Sequence, residues 1–170
     1  MFTHFMRIRR TVLCMAMTIP CVVPVMAEVV FCVGKTAGEE ANDSNVSELL
    51  ERKTEQILLR NSAAASPDNC EYVIVPTLIV ESCKSTEGLL GNVSVVTGEF
   101  ILTARNINDG TAYYAVTVPL KVSAKSLAKG DEAISLARSI RTNDVRYTRF
   151  IRISRTRIEQ NDSVSVMKRR

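Results

Sequence analysis

The sequence predicts an α/β (α+β) fold. It is a two-layer sandwich of a mainly antiparallel sheet with helices on one face, in the order β-α-β-β-β-α-α. Three observations predict it. The runs "CEYVIVPTLIVESC", "VSVVTGEFILTAR" and "TAYYAVTVPLKVSA" are rich in β-branched and aromatic residues and are bounded by turn-forming stretches. One segment of helical period precedes them and two follow. The apolar residues of the last two runs share one face, which needs a cover that amphipathic helices supply.

The first element is the short apolar stretch "VVFCV", followed by the polar connector "GKTAGEEANDS". Next, "NVSELLERKTEQILLRN" places Val46, Leu49, Leu50, Ile57 and Leu58 on one helical stripe, and Asn45 followed by Glu48 resembles a capping box. The loop "SAAASPDN" breaks that helix with small residues and a proline. The three strands follow, joined by "KSTEGLLGN" and "NINDG".

The second joint can be read in register. Val96, Phe100, Leu102 and Ala104 share a face, as do Tyr114, Val116, Val118, Leu120 and Val122, and all are even-numbered. Directly opposed residues lie on the same face of a sheet, so paired numbers must sum to an even value. A three-residue loop, Asn108-Asp109-Gly110, meets that condition. It pairs Ile107 with Thr111, Leu102 with Val116 and Phe100 with Val118, with Gly110 left-handed. The opposite face carries Thr97, Glu99, Thr103, Arg105, Thr117 and Lys121, so it is expected to be solvated or to meet something polar. After the strands, "GDEAISLARSI" and "DVRYTRFIRISRTRIEQ" read as helices.

Residues 1–27 are of another kind. A basic start with Arg7, Arg9 and Arg10 precedes the uncharged run "TVLCMAMTIPCVVPVMA", which ends with small residues at Val25 and Ala27. That is the order of a secretory signal cleaved after Ala27. Pro20, Pro24 and Glu28 interrupt the run, against a transmembrane anchor of about 20 apolar residues. Cys14, Cys21 and Cys32 follow Leu, Pro and Phe, where a lipidated cysteine wants a small residue, so lipidation is not expected. The expected organisation is therefore signal 1–27, a single domain 28–160 and a basic C-terminal tail 161–170, in the periplasm or outside the cell.

Taking three arginines and no acids from a formal charge of +4 leaves a chain of about +1, so the basic pI is no argument for a nucleic-acid partner. The one histidine, His4, leaves with the signal, which excludes Ser-His-Asp and Cys-His sites and most zinc sites. Cys32, Cys70 and Cys83 remain, an odd number. Cys70 and Cys83 bracket one extended strand and cannot bond to each other, whereas Cys32 could pair with either. This is not the framework of a disulfide-held protein; a core must hold it.

Other chemical signals are weak. Gly34-Lys35-Thr36 brings a phosphate-binding loop to mind, but Val29 stands where that loop requires a glycine. Glu39, Glu40 and Asp109 lie in connectors or turns and read as solvated loop residues. No catalytic, cofactor-binding or metal-binding set is expected.

The arginine-rich segment is the candidate interaction surface. At helical pitch Tyr147, Phe150, Ile151, Ser154 and Ile158 fall on one arc, and Arg146, Arg149, Arg152, Arg155 and Arg157 fan across the rest. Residues 138–170 hold nine Arg and one Lys against Asp144, Glu159 and Asp162. Such a face is either a plain solvated surface or a dock for an anionic envelope polymer, lipid headgroups or an acidic protein. The only interleaved aromatics, Tyr147 and Phe150, belong to the buried arc, which argues against nucleic acid.

The block Tyr72–Ala124, with "EYVIVPTLIVES" and "GEFILTARNINDGTAYYAVTV", resembles the core of small envelope α/β domains. These are the domains of curli-secretion channel proteins and of the activator lipoproteins of penicillin-binding proteins. The resemblance implies an envelope-assembly or adaptor role without catalysis, and the missing lipid-anchor cysteine departs from those families. The expectation is an exported, non-catalytic binding or assembly protein of the cell envelope. The alternatives are a secreted hydrolase with a carboxylate site and a structural subunit that self-assembles.

Overall fold

The computed structural model describes residues 29–65, 70–88, 91–125, 127–128 and 130–168. The segment expected to be an export signal lies outside them. The elements are β1 (Phe31–Val33), α1 (Ser44–Arg60), β2 (Tyr72–Gly88), β3 (Gly91–Asn106), β4 (Ala112–Lys125), α2 (Glu132–Ser139) and α3 (Val145–Lys168). A turn of 3-10 helix at Glu39–Asn42 is added before α1. The order is the expected β-α-β-β-β-α-α, and the sheet runs β1-β2-β3-β4. β1 is parallel to β2, so β1, α1 and β2 form a crossover unit, and β2, β3 and β4 then form an antiparallel meander. The segment 161–168, expected as a tail, continues α3.

All three helices lie on one face of the sheet and form one core with it. Val46, Leu50, Ile57 and Leu58 of α1, Leu136 of α2, and Tyr147, Phe150, Ile151 and Ile158 of α3 are buried there. From the sheet come Phe31, Tyr72, Ile74, Leu78, Val96, Phe100, Leu102, Ala104 and Val118. The even-numbered faces of β3 and β4 are thus the core faces. Leu49 lies at the margin, half-buried; Thr54 takes a fully buried place instead, its hydroxyl donating to the Leu50 carbonyl at 2.8 Å.

The start of α1 differs from expectation. Asp43, not Asn45, is the cap: its Oδ1 accepts from the amides of Asn45 at 2.9 Å and Val46 at 3.2 Å. A carboxylate both satisfies the unpaired first-turn amides and complements the helix dipole, so it outcompetes an amide two residues later.

The β3–β4 register holds at Leu102↔Val116 and Phe100↔Val118, but the loop is longer than three residues. Ile107 does not oppose Thr111. The amide of Asn106 donates to the Thr111 carbonyl at 2.9 Å, which leaves Ile107 to Gly110 as a four-residue loop. That loop alone would break the parity of the two faces. A bulge at Tyr113 restores it, since Ala104 opposes Tyr114 while Arg105 opposes Ala112. Tyr113 and Tyr114 thereby both reach the core side: Tyr113 stands edge-on to Tyr72 at 5.8 Å, and Tyr114 stacks on Phe150 at 6.0 Å. Gly110 has φ 73°, as the turn chemistry requires.

The joint "KSTEGLLGN" is mostly strand, because β2 runs to Gly88 and β3 begins at Gly91. Ser85 opposes Ser94 and Thr86 opposes Val93, so no alternation of polarity marks the strand there. A second bulge, at Glu81, lies between the Val80↔Gly98 and Ser82↔Thr97 pairs.

Cys32 and Cys70 form a disulfide between β1 and the residues just before β2, with Cα atoms 6.0 Å apart. Cys83 is a free, exposed cysteine further along β2. The pairing follows from β1 lying parallel beside β2, with Cys32 opposite Val73. The sheet face away from the helices is less polar than expected. By strand alternation, β2 adds Val73, Val75 and Ile79 to it, and β3 adds Ile101 among the threonines.

Candidate functional site

The candidate surface is built on α3. Asp144 precedes the helix and its Oδ1 accepts the amide of Arg146 at 2.9 Å, closing the first turn. Tyr147, Phe150, Ile151, Ser154 and Ile158 are buried, the arc expected from helical pitch. Burial pushes the Tyr147 hydroxyl above the ordinary phenol range. The Ser154 hydroxyl is buried without a hydrogen-bond partner among the described residues.

The five arginines divide into two kinds. Arg146 forks back onto Asp144, with Nε at 3.0 Å from Oδ1 and Nη2 at 2.7 Å from Oδ2. That fork, with the Arg146 amide, holds the Asp144 carboxyl below the usual carboxylate range. Arg155 ties the helix to two distant segments, donating from Nε to the Val29 carbonyl at 2.8 Å and from Nη2 to the Ser62 carbonyl at 3.0 Å. Arg157 donates from Nη1 to the Tyr113 carbonyl at 2.8 Å, and its guanidinium carbon lies 4.8 Å from the Tyr114 ring centroid.

Arg149 and Arg152 are of the other kind. Both are exposed, one turn apart on α3, and neither has a hydrogen-bond or ion-pair partner among the described residues. Arg152 lines a shallow pocket of about 230 Å³ with Asn61, Thr148, Ile151, Arg155, Thr156 and Glu159. Thr148 donates to Asn61 Oδ1 at 2.8 Å, fixing the wall of this pocket to the end of α1. Helical period identified the arginines as outward-facing; which of them are held by carbonyls of other segments was not visible in it.

Two other places bear on chemistry. A cleft of about 370 Å³ beside β1 is lined by Glu48, Glu51 and Glu55 of α1, with Arg52, over a floor that includes Phe31 and Leu58. The three carboxylates lie on one wall, along one helix, and Glu51 already accepts from the Thr36 amide at 3.1 Å and the Ser47 hydroxyl at 3.2 Å. A glycosidase pair instead faces its substrate from two sides. A second hollow holds Cys83 with Glu40, Glu81 and Glu132. Desolvation, followed by the charge of Asp43, raises the Glu40 carboxyl.

The Gly34-Lys35-Thr36 stretch is structural. The Gly34 amide donates to the Ile74 carbonyl at 2.8 Å, and Thr36 is tied to α1 through Glu51 and the Ser47 carbonyl. A Cβ at Gly34 would meet Val73 Cγ2 at 2.6 Å, so the glycine permits close strand packing. Among the described residues, no group of three or more His, Cys, Asp or Glu could hold a metal ion. No described helix is long and apolar enough to cross a membrane.

No known protein family matches the sequence, and no curated protein matches it. Solved structures with a similar chain course exist. A DUF330-family protein of Xanthomonas campestris is 12% identical, with 82% of this chain and 92% of that one covered, at a TM-score of 0.44. A minor lipoprotein from Acinetobacter baumannii is 13% identical over 83% and 95%, at 0.40. The PelC dodecamer subunit from Paraburkholderia phytofirmans is 16% identical over 75% and 88%, at 0.39. One of the three is thus named a lipoprotein. The resemblance to curli-secretion channel proteins and to activator lipoproteins rests on the sequence pattern of Tyr72–Ala124.

Proposed function

We propose that this chain is an exported, non-catalytic binding or assembly protein of the cell envelope, which docks an anionic partner through the outer face of α3. The observation that carries the reading is the division of the arginines. Arg146, Arg155 and Arg157 have partners within the fold, whereas Arg149 and Arg152 stand exposed one turn apart with none among the described residues. Two neighbouring guanidinium groups offer paired donors to carboxylates or phosphates, as an anionic envelope polymer or an acidic protein surface presents them. Two features support export: the signal-like order of residues 1–27, and the Cys32–Cys70 disulfide, which persists in an oxidising compartment. The chain would then act in the periplasm or outside the cell.

The experiment is site-specific photocrosslinking from the Arg152 turn in the native cell, with the captured species identified chemically. Arg149→Gln with Arg152→Gln should leave thermal stability unchanged, abolish capture, and in the parent chain capture should weaken as salt rises. Salt-independent capture that survives the double substitution would remove α3 as the docking face. Arg155 is left intact because its carbonyl bonds would confound stability with binding. Export is tested separately: N-terminal sequencing of the secreted chain should begin at Glu28, and a chain still beginning at Met1 would refute cleavage.

A further inference from the structure

The face of the sheet opposite the helices carries no covering element among the described residues. Its centre is apolar and β-branched: Val73, Val75, Thr77 and Ile79 on β2, Ile101 and Thr103 on β3, Ala115 and Thr117 on β4. Ile79 is 44% exposed. Two charged groups stand on β3 within this surface, Glu99 and Arg105, and neither has an ion-pair partner among the described residues. The face spans roughly 30 Å by 15 Å in projection. With the relief of its side chains, that is of the order of the roughly 800 Å² per partner that a standard interface buries.

Its register makes the face complementary to itself. Pro76, Leu102 and Val116 form one row across the three long strands. A two-fold axis between two facing copies, crossing the strands at that row, reverses strand direction and exchanges positions on either side of it. Glu99 of one copy then lies over Arg105 of the other, and Arg105 over Glu99. On β2, Val73 lies over Ile79, and on β3 Ile101 lies over Thr103. Apolar residues meet apolar or threonine, and each of the two charges meets its opposite. The roughly 30° crossing of packed sheets shifts the outer pairs sideways by about 5 Å, within reach of a glutamate and an arginine. Lys121 falls at the rim, where it stays in water.

We infer that the open sheet face binds a second copy of this chain, forming a two-fold sandwich of two sheets with reciprocal Glu99–Arg105 pairs. This surface lies across the domain from the α3 helix face and does not depend on the docking role given to Arg149 and Arg152.

The test is sedimentation equilibrium on the chain as recovered after export, in a Cys83→Ser background that prevents adventitious crosslinking. A dimer is expected. Glu99→Arg and Arg105→Glu should each raise the dimer dissociation constant at least tenfold, and the double reversal should recover most of the loss. Ile101→Lys should give a monomer with unchanged far-UV circular dichroism. If that variant unfolds, the two charge reversals, both at the protein surface, decide the matter alone. A wild-type monomer at high micromolar concentration overturns the inference, whatever else then occupies the face. So does a dimer indifferent to both charge reversals, or a double reversal no better than the single ones. Arg149→Gln with Arg152→Gln should leave the dimer intact, so loss of partner capture and loss of the dimer are separable results.

Discussion

Arg157 reaches from α3 to the carbonyl of Tyr113, the bulged residue of β4, at 2.8 Å, and lays its guanidinium over the ring of Tyr114. One side chain thus holds both tyrosines that the bulge brings to the core side. Arg157→Ala should destabilise the fold by about 1–2 kcal/mol, through a charge-assisted hydrogen bond and a cation–π contact. Arg149→Ala should stay within about 0.5 kcal/mol of the parent. Urea denaturation of the two variants side by side checks the contrast; equal effects would show that the division of the arginines has no energetic content.

The Cys32–Cys70 bond closes a loop of sequence separation 38. Chain entropy assigns such a loop roughly 4 kcal/mol, and native disulfides in small exported domains give about 2–5. Replacing both cysteines by alanine should lower the urea midpoint accordingly, while Cys83→Ser should leave it unchanged. A stability loss under about 1 kcal/mol for the double variant would mean that the disulfide contributes little to holding β1 in the sheet.

Gly98 lies on β3 opposite Val80, just before the Glu81 bulge. A Cβ there would collide with the Ile79 carbonyl and come within 2.8 Å of Leu136 Cδ1 on α2. Gly98→Ala should therefore destabilise by about 1–3 kcal/mol by overpacking. Gly110→Ala has open space around it but a φ of 73°, so its cost of about 1–2 kcal/mol comes from the backbone alone. Thermal melts separate the two causes, because shortening Leu136 should relieve part of the Gly98 defect, though not the collision with the Ile79 carbonyl, and none of the Gly110 defect.

Asp144 titrates below its unfolded range because Arg146 and the helix amide hold its charged form. Its contribution to stability is complete above the unfolded value of about 3.9 and is lost as pH falls through the lower folded value. Asp144→Asn should therefore flatten the acid limb of a stability profile recorded from neutral pH downward. The limb should not vanish, since the Thr111 amide likewise lowers Asp109 in the β3–β4 turn. An acid limb identical in the two proteins would contradict the assignment.

Ser154→Ala should be neutral or stabilising. The hydroxyl is buried without a partner among the described residues, so its removal leaves no orphaned group behind and no cavity of consequence. A loss above about 1 kcal/mol in urea would show that the hydroxyl is bonded in solution.

The parts of this fold legible in the sequence are those set by periodicity. Leu102 opposes Val116 because both strands bury even-numbered residues, and Tyr147, Phe150, Ile151 and Ile158 line up at helical pitch. What was not legible depends on residues distant in sequence. The four-residue loop and its bulge rest on Tyr113 packing against Tyr72, and no local pattern announces that contact. The tethering of Arg155 needs the carbonyls of Val29 and Ser62, and every residue has a carbonyl, so sequence cannot single them out. The open face reads as polar from β3 and β4 alone; the Val73, Val75 and Ile79 of β2, whose face the hairpin parity does not reach, make its centre apolar.

The β1–α1–β2 crossover also sets the order in which this chain can acquire its structure. The β2–β3 and β3–β4 pairings are hairpins whose ends are near in sequence, so they close quickly. β1, only three residues long, cannot pair until Tyr72–Ile74 is present and α1 has packed. As the chain emerges N-terminus first, its earliest strand therefore stays unpaired until β2 follows, and Cys32 waits as a thiol until Cys70 arrives. Once Cys83 has followed Cys70, a competing partner is present. A Cys32–Cys83 bond would have to shuffle to the native one, so Cys83→Ser should speed oxidative refolding.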